Sequence, residues 1–269
     1  MAFYQSKPDW DETGRMRHIG LAKGDVAPVV LMPGDPGRCE VMQNLFASSR
    51  YIGQRGAFAT YTGKTPGGAD ISVMSSGMGC MNVSLALEEL SHLGVKTVIR
   101  VGTGGAVQCP FTPGTLVVAT GCVRGEGASY EYVPPEFPAV ADYRVVNALR
   151  KACGELGEKP VVGLYRSHDS FYMESPGAHP GLLDRIQIWK DTGVQLIENE
   201  SGTLFTVGHL LGIKTCSICI GMGSLFDENR EEALAAMARK DPQWLKKRVE
   251  AATRAAMRAA EMLSEGKGE

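Results

Sequence analysis

Residues 96–106 read KTVIRVGTGGA, an apolar segment that runs into glycines. Such a segment is typical of a strand buried on both faces, and it predicts a strand over 96–102 followed by a glycine-rich turn. Further strands are predicted at 27–32, 57–63, 69–75, 115–121, 160–167, 194–198 and 213–221. Those at 57–63 and 69–75 form a hairpin around Pro66-Gly67-Gly68.

Apolar residues at helical spacing occupy the segments between the strands. They predict helices at 82–93, from Asp142 to about 156, at 200–211 and at 243–264, and a short one from 34 to about 46. Asn82 and Asp142 are the expected N-caps, and Gly94 ends its helix. Alternating strands and helices predict the α/β class, with a central mixed β-sheet flanked by helices. Because no linker divides the chain, we expect a single domain over residues 1–269, with 1–17 as an N-terminal extension.

The charge balance excludes a general affinity for polyanions. With 28 basic and 30 acidic residues the formal net charge is −2, so neither nucleic acid nor a membrane is an expected partner. The N-terminus lacks the apolar run of a signal peptide. Seven cysteines, an odd number, suit free thiols in a reducing compartment, and we expect a cytoplasmic protein. Cys216 and Cys219 form a CxxC pair inside a predicted strand, so no metal site is expected.

Two strand ends carry the residue types of an anion site. In GDPGR (34–38), Gly34 lets the backbone approach a ligand and Arg38 adds a guanidinium. Arg100 lies near the end of an apolar strand, where an unpaired charge would cost several kcal/mol. Its partner is either a bound anion or a buried carboxylate, and both remain open. Thr103 adds a hydroxyl, and Gly104 and Gly105 add accessible amides.

Two further segments supply groups that suit a sugar and a flat base. LIENESGTL (196–204) places Glu198 and Glu200 where a strand gives way to a helix. Carboxylates there can bind ribose hydroxyls or cap the helix. SHDSFY (167–172) ends another strand with aromatic residues that suit either stacking on a base or core packing. Its adjacent His168 and Asp169 face opposite ways on a strand, so we expect no catalytic dyad. Together these motifs predict a ligand site at the carboxyl ends of strands.

The order of these motifs resembles that of the nucleoside phosphorylase family, and in particular its uridine phosphorylase branch. The matching stretches are HIGLAKGDV (18–26), MPGDPGR (32–38), SSGMGCMNVSLALEEL (75–90), RVGTGGA (100–106), VRGEGASYEYVPPEFPAVADY (123–143), SHDSFY and ENESGTL. The resemblance implies phosphate-dependent cleavage of the N-glycosidic bond of a nucleoside, with uridine expected. It implies no cofactor, with inorganic phosphate as the co-substrate.

By this resemblance, phosphate would be bound by Gly34, Arg38, Arg55, Arg100 and Thr103. Arg55 matches an arginine that an adjacent subunit lends to the site, so the family implies a homo-oligomer of dimer units, a hexamer, with shared active sites. Glu200, Arg100 and Arg38 would be the catalytic residues.

The remaining roles that the resemblance implies concern the nucleoside. The expected ribose-binding residues are His18, which would cross the subunit interface, and Glu198, Asn199 and Glu200. The expected base-binding residues are Thr103, Gly104, Gly105, Phe171 and His168.

The chain departs from the uridine branch at the segment that reads the base. Members of that branch carry Gln and Arg shortly after the FY pair, whereas FYMESPGAHPG (171–181) has Ser175 and Gly177 at the nearest positions. Other candidates for this role are His168, His179, Arg166 and, for a protonated purine N7, Asp227.

Three alternatives remain at this stage. A purine nucleoside phosphorylase would share the site but read another base. A nucleosidase of the same fold would use water and would have no need of Arg38, Arg55 and Arg100 together. A non-catalytic nucleoside-binding protein would have no need of Glu200 beside a phosphate site.

Overall fold

A computed structural model describes residues 3–175 and 181–266 of the chain. Its strands are β1 (Val29–Met32), β2 (Ser48–Arg55), β3 (Phe58–Lys64), β4 (Asp70–Met74), β5 (Thr97–Ala106), β6 (Leu116–Gly125), β7 (Ala139–Val140), β8 (Val161–His168), β9 (Leu196–Glu198) and β10 (Lys214–Ser224). Its α-helices are α1 (Pro36–Gln43), α2 (Cys80–His92), α3 (Tyr143–Glu155), α4 (Leu182–Asp191), α5 (Ser201–Leu210), α6 (Arg230–Lys240) and α7 (Trp244–Ser264). The predicted α/β class with a mixed sheet flanked by helices is confirmed.

All ten strands belong to one sheet. One half is a layer in which β1 pairs with β4 and β5 in parallel, while β2, β3 and β4 form an antiparallel meander. In the other half β5, β10, β6, β8 and β9 pair in turn until β9 returns to β5, so these strands close into a ring. Strand β5 belongs to both halves, and the site is built around it.

Strand β5 continues further than the sequence predicted. The segment expected to be a glycine-rich turn is paired strand up to Ala106, with Gly104 opposite Gly221 of β10 and Gly105 opposite Ile197 of β9. An added Cβ at Gly104 would lie 2.6 Å from the Ile197 carbonyl oxygen, and one at Gly105 would lie 2.7 Å from Leu225. The two glycines therefore let other segments of the same chain pack closely against β5, and neither is needed for a turn.

The helix ends confirm Asp142 and Gly94 and correct Asn82. The Asp142 carboxylate accepts a hydrogen bond from the amide of Arg144, and Gly94 follows α2 with φ +88°. Helix α2 begins earlier than predicted, with Gly79 at its N-cap, and Asn82 lies inside its first turn, where its amide donates to the Met78 carbonyl. Strands β2 and β7 and helices α4 and α6 were not predicted.

Two clusters of buried apolar residues pack against the sheet that carries the site. The larger lies between the sheet and helices α2, α3, α5 and α7. A smaller one joins α4 to the end of β5 and to β9, through Val107, Ile186, Val194 and Ile197. Cys216 and Cys219 are buried in β10 as free thiols, as expected. Among the described residues, no helix is long and apolar enough to cross a membrane, and no cluster of His, Cys, Asp or Glu suits a metal ion.

We expect Gly104→Ala to destabilise the protein because the new methyl group would force β9 away from β5. Overpacking of this kind costs about 1–3 kcal/mol, measurable as a lower free energy of unfolding in urea. The matched control is Gly154→Ala in α3, where an added Cβ meets nothing within 4 Å. There alanine should stabilise the helix by about 0.5–1 kcal/mol. Equal effects of the two variants would contradict this account of Gly104.

Candidate active site

A cavity of about 500 Å³ opens where β5, β8 and β9 end. Residues of these strands line it, together with residues of the 3₁₀ helix at Phe171–Glu174, the end of β10 and the start of α6. The register explains the convergence, because Glu198 of β9 pairs with Ser167 of β8, and the preceding Ile197 pairs with Gly105 of β5. The predicted location at strand ends agrees with this geometry.

Glu198 is saturated by hydrogen bonds from the protein. Its carboxylate accepts from Arg100 Nε at 3.0 Å, from Ser167 Oγ at 2.5 Å, and from the amides of Glu200 and Ser201 at 3.1 and 2.9 Å. The last two contacts place it at the N-terminus of α5, where a carboxylate also interacts favourably with the helix dipole. Glu198 therefore joins three elements and orients Arg100, a role that sequence reasoning did not separate from ribose binding.

Of the two partners that the sequence left open for Arg100, the structure shows the buried carboxylate. The guanidinium of Arg100 pairs with Glu198 and with Glu200, whose Oε2 contacts Nη2. Burial opposes the charge of Arg100, but Glu200 and Glu198 outweigh it and raise the pKa of Arg100 above its usual value. The third nitrogen, Nη1, is buried without a hydrogen-bond partner in the described structure. A buried donor without an acceptor is costly, so this nitrogen marks a position for a ligand oxygen.

Glu200 holds the junction between β9 and α5 next to the loop before α2. Its side chain is 4% exposed, and Oε1 accepts a hydrogen bond from the Gly79 amide at 2.7 Å. Burial raises the pKa of Glu200, while Arg100 acts in the opposite direction. Because each carboxylate oxygen has two lone pairs, both oxygens can still accept a hydroxyl proton.

Arg38 lies close enough to Arg100 for the charge of one to act on the other, and it follows β1, whose last residue Met32 pairs with Arg100. It is half-buried at the start of α1. Burial lowers the pKa of Arg38, and the charge of Arg100 adds to this effect, against that of Asp35. Within the described ranges Arg38 forms no ion pair with a carboxylate. Two neighbouring arginines, one without a carboxylate and one with a free buried nitrogen, are the arrangement of an anion site.

Arg55 and His18 lie away from this cluster within the chain. Arg55 donates to Asp11 Oδ2 at 2.9 Å and to the Arg17 carbonyl at 2.7 Å. His18 Nδ1 is 2.8 Å from Glu89 Oε1, and its side chain is 49% exposed. Neither residue lines the cavity at β5. The structure thus does not bring these two predicted residues to the site of their own chain.

The base-binding residues named from the sequence all line the cavity: Thr103, Gly104, Gly105, Phe171 and His168, together with Glu198 and Asn199 from the ribose set. Phe171 is 61% exposed, so it is not a core residue. Asn199 donates to the His168 carbonyl. Burial lowers the pKa of His168, against the opposing charge of Glu174, so the ring is neutral at neutral pH.

Arg166 and Asp227, the other described residues that could replace the missing Gln and Arg, do not line the cavity. Arg166 forms a buried ion pair with Glu174 at 2.8 Å, and its guanidinium lies 4.3 Å from the Trp189 ring centroid. Asp227 accepts from the Asn229 amide in the turn before α6 and does not line the cavity. Gly177 and His179 lie outside the described residues. Asp169 accepts from the Gly127 amide, so the absence of a His168–Asp169 dyad agrees with the expectation.

Sequence reasoning missed three residues of the site. Ser167 holds Glu198, Glu174 forms the ion pair with Arg166, and Arg230 at the start of α6 lines the cavity. Glu174 lies two residues after the FY pair, which was an available signal. Arg230 had none, because α6 itself was not predicted.

The sequence profile of the phosphorylase superfamily matches residues 28–265. The chain belongs to the phosphorylase superfamily. A uridine phosphorylase from Treponema pallidum (strain Nichols) is 37% identical over 77% of this chain and 81% of its own length. A guanosine phosphorylase from Halorubrum lacusprofundi is 34% identical over 80% of this chain and 86% of its own. The crystal structure of uridine phosphorylase from Vibrio fischeri ES114 with 6-hydroxy-1-naphthoic acid has a TM-score of 0.80 at 28% identity, over 94% and 98% of the two chains. The resemblance inferred from the motifs is confirmed at the level of the superfamily.

Glu198→Gln should strongly destabilise the protein. The amide keeps the shape but loses the charge that compensates Arg100, and breaking a buried ion pair on one side costs about 3–5 kcal/mol. The measurement is urea unfolding at matched protein concentration. The control is Glu232→Gln, which breaks an exposed pair with Arg239 and should change the free energy by no more than about 0.5 kcal/mol. A Glu198→Gln protein as stable as the control would remove Glu198 from this role.

Proposed function

We propose that the protein is a nucleoside phosphorylase that cleaves uridine with inorganic phosphate, giving uracil and ribose 1-phosphate. The observation that carries this proposal is the arginine pair: within the described residues, the buried Nη1 of Arg100 has no hydrogen-bond acceptor, and Arg38 forms no ion pair, although the charge of Asp35 acts on it. A phosphate oxygen supplies the missing acceptor to both. A hydrolase that uses water has no need of this second cation. No cofactor is required, because phosphate is the nucleophile.

The geometry suits a reaction in which charge separates at the sugar. A phosphate oxygen, held by Arg38 and Arg100, forms a bond to C1′ while the bond from C1′ to the base nitrogen breaks. The electron pair of that bond leaves with the base, and the ribose passes through an oxocarbenium-like state. Glu200 accepts hydrogen bonds from the ribose 2′- and 3′-hydroxyls, and its negative charge stabilises the cationic sugar. Fixed groups of this kind contribute both orientation and electrostatic stabilisation.

The ribose and base would extend from this anion site into the cavity. Thr103 lies three residues after Arg100 on β5 and lines the cavity, and Glu198 belongs to both the ion-pair cluster and the cavity wall. The exposed ring of Phe171, which also lines the cavity, suits contact with the flat base. We propose Asn199 as a further ribose contact, since it lines the cavity next to Glu198 and Glu200 in the chain.

A purine substrate is the second candidate. The relative from Halorubrum lacusprofundi is named a guanosine phosphorylase, at an identity close to that of the uridine phosphorylases. The neighbouring phosphate and ribose groups would serve either base equally. Base preference therefore depends on the cavity residues that contact the base, such as those of the 3₁₀ helix at Phe171–Glu174 and of the start of α6.

The proposed assembly follows from the positions of Arg55 and His18. Both are held by their own chain, yet both are partly exposed, so they can serve the site of an adjacent subunit. We propose a homo-oligomer of dimer units, a hexamer, with shared active sites. The compartment we propose is the cytoplasm, because all seven cysteines are free thiols and such thiols persist in reducing surroundings.

Cleavage of uridine should depend on phosphate and should release ribose 1-phosphate. The measurement is a nucleoside panel of uridine, thymidine, inosine and adenosine, with and without phosphate, and with the sugar product identified. Free ribose formed at equal rate without phosphate would mean a hydrolase. A lead of inosine or adenosine over uridine of tenfold or more in kcat/KM would move the assignment to purines. Absence of turnover on every nucleoside would indicate a binding protein.

Mixing two impaired variants, assayed at limiting phosphate, tests whether the sites are shared between subunits. Glu200→Ala should lose about 10²–10³-fold in kcat because it removes a transition-state contact, and Arg55→Ala should raise the KM for phosphate. If Arg55 serves a neighbouring subunit, a mixture reassembled from both variants contains some sites with both residues intact and regains part of the activity. Each variant reassembled alone is the control. Activity of the mixture equal to the mean of the two would contradict shared sites.

A further inference from the structure

Arg230 is the cation of the cavity wall that no carboxylate neutralises directly. The wall carries three acidic residues: Glu174 pairs with Arg166, Glu198 pairs with Arg100, and Glu231 forms no ion pair within the described ranges. Burial lowers the pKa of Arg230, and the charge of Glu231, which lies beyond ion-pair distance, acts in the opposite direction with a smaller effect. A half-buried guanidinium without a bound anion is costly, and the cavity is where a compensating acceptor can enter.

The Arg230 side chain is held in place while its end remains available. Nε donates to the Met222 carbonyl at 2.8 Å. Gly223, with φ +80°, gives room to the aliphatic stem, because an added Cβ there would lie 3.1 Å from Arg230 Cγ. Neither terminal nitrogen has a hydrogen-bond partner among residues 3–175 and 181–266. A fixed stem with two free donors is preorganised to bind acceptors at low entropic cost.

We infer that Arg230 is the base-specificity residue of this phosphorylase and selects nucleosides whose base carries a carbonyl oxygen, and not an amino group, at pyrimidine C4 or purine C6. The inference rests on the proposed function and identifies the group that replaces the missing Gln and Arg. A guanidinium has donors and no acceptor. It can therefore bond the O4 of uracil or the O6 of guanine, but it meets the amino group of cytosine or adenine with a second donor.

The same contact assists bond breaking. When the bond from C1′ to the base nitrogen breaks, its electron pair delocalises onto the base and places negative charge on the carbonyl oxygens. Arg230 stabilises that charge by hydrogen bonds and keeps its own proton, since arginine is not deprotonated in proteins. The proton that the free base gains comes from solvent or phosphate. Arg230 is thus expected to act more on kcat than on phosphate binding.

The test compares Arg230→Ala with Arg239→Ala, an exposed arginine on the same helix. The substrates are the keto–amino pairs uridine with cytidine and guanosine with adenosine, and the two activated nucleosides 5-fluorouridine and 7-methylguanosine. Arg230→Ala should lower kcat/KM for the preferred keto substrate by about 10²-fold and leave the KM for phosphate unchanged. The preference of the keto base over its amino partner should fall by at least about tenfold. The Arg239→Ala enzyme should match the wild type.

The activated nucleosides separate a chemical role from a structural one. Their bases leave more readily, so the loss caused by Arg230→Ala should be several-fold smaller for them than for the parent nucleoside. Arg230→Lys, which keeps the charge, should recover part of the rate. An equal loss on parent and activated substrates, or an unchanged keto–amino ratio, would overturn the inference while the wild-type activity still supports the phosphorylase. A wild type without phosphate-dependent cleavage would overturn both.

Discussion

The ion-pair cluster of Arg100 with Glu198 and Glu200 is the constraint on which the site depends. Three charged groups are buried together at the end of a strand that is otherwise apolar. Such a group of charges is tolerated only when each is compensated. Here two carboxylates face one guanidinium, and backbone amides of Gly79, Glu200 and Ser201 donate further hydrogen bonds to the two carboxylates.

The backbone around this cluster is arranged to keep it fixed. Glu198 ends a strand of three residues, which alone would not define a position. Pairing with β8 and β5 on either side, the bond from Ser167 and the amides of α5 supply the missing definition. Gly104 lets β9 approach β5 closely enough for these contacts, and Gly105 makes room for the side chain of Leu225. Precision in the charged cluster is therefore obtained from a close approach of main chains, and not from long side chains reaching across space.

The alternation of strands and helices, and the convergence of Thr103, Glu198 and Phe171 on one cavity at strand ends, could be predicted from the sequence. They lie in local motifs whose meaning depends on a few neighbouring residues, as Arg100 in an apolar strand does. The wrong prediction of a turn at Gly104 has the same cause. In the sequence, a glycine that is required by the close approach of a distant strand cannot be distinguished from a turn glycine. Glu174 and Arg230 acquire their roles only when Arg166 and Met222 are brought to them by the fold. Their partners are not marked by spacing, so sequence reasoning could not assign them.

The closed ring of β5, β10, β6, β8 and β9 divides the site into residues that are fixed by strand pairing and residues on connections that can vary. Arg100, Thr103 and Glu198 belong to the ring and Glu200 directly follows it, and a ring without free edges cannot shift its register strand by strand. The 3₁₀ helix at Phe171–Glu174 and the start of α6 are attached outside it, as connections whose length and residues can vary. In the proposed phosphorylase, a change of base preference therefore requires changes only in these two peripheral segments, while the residues held by the ring stay fixed.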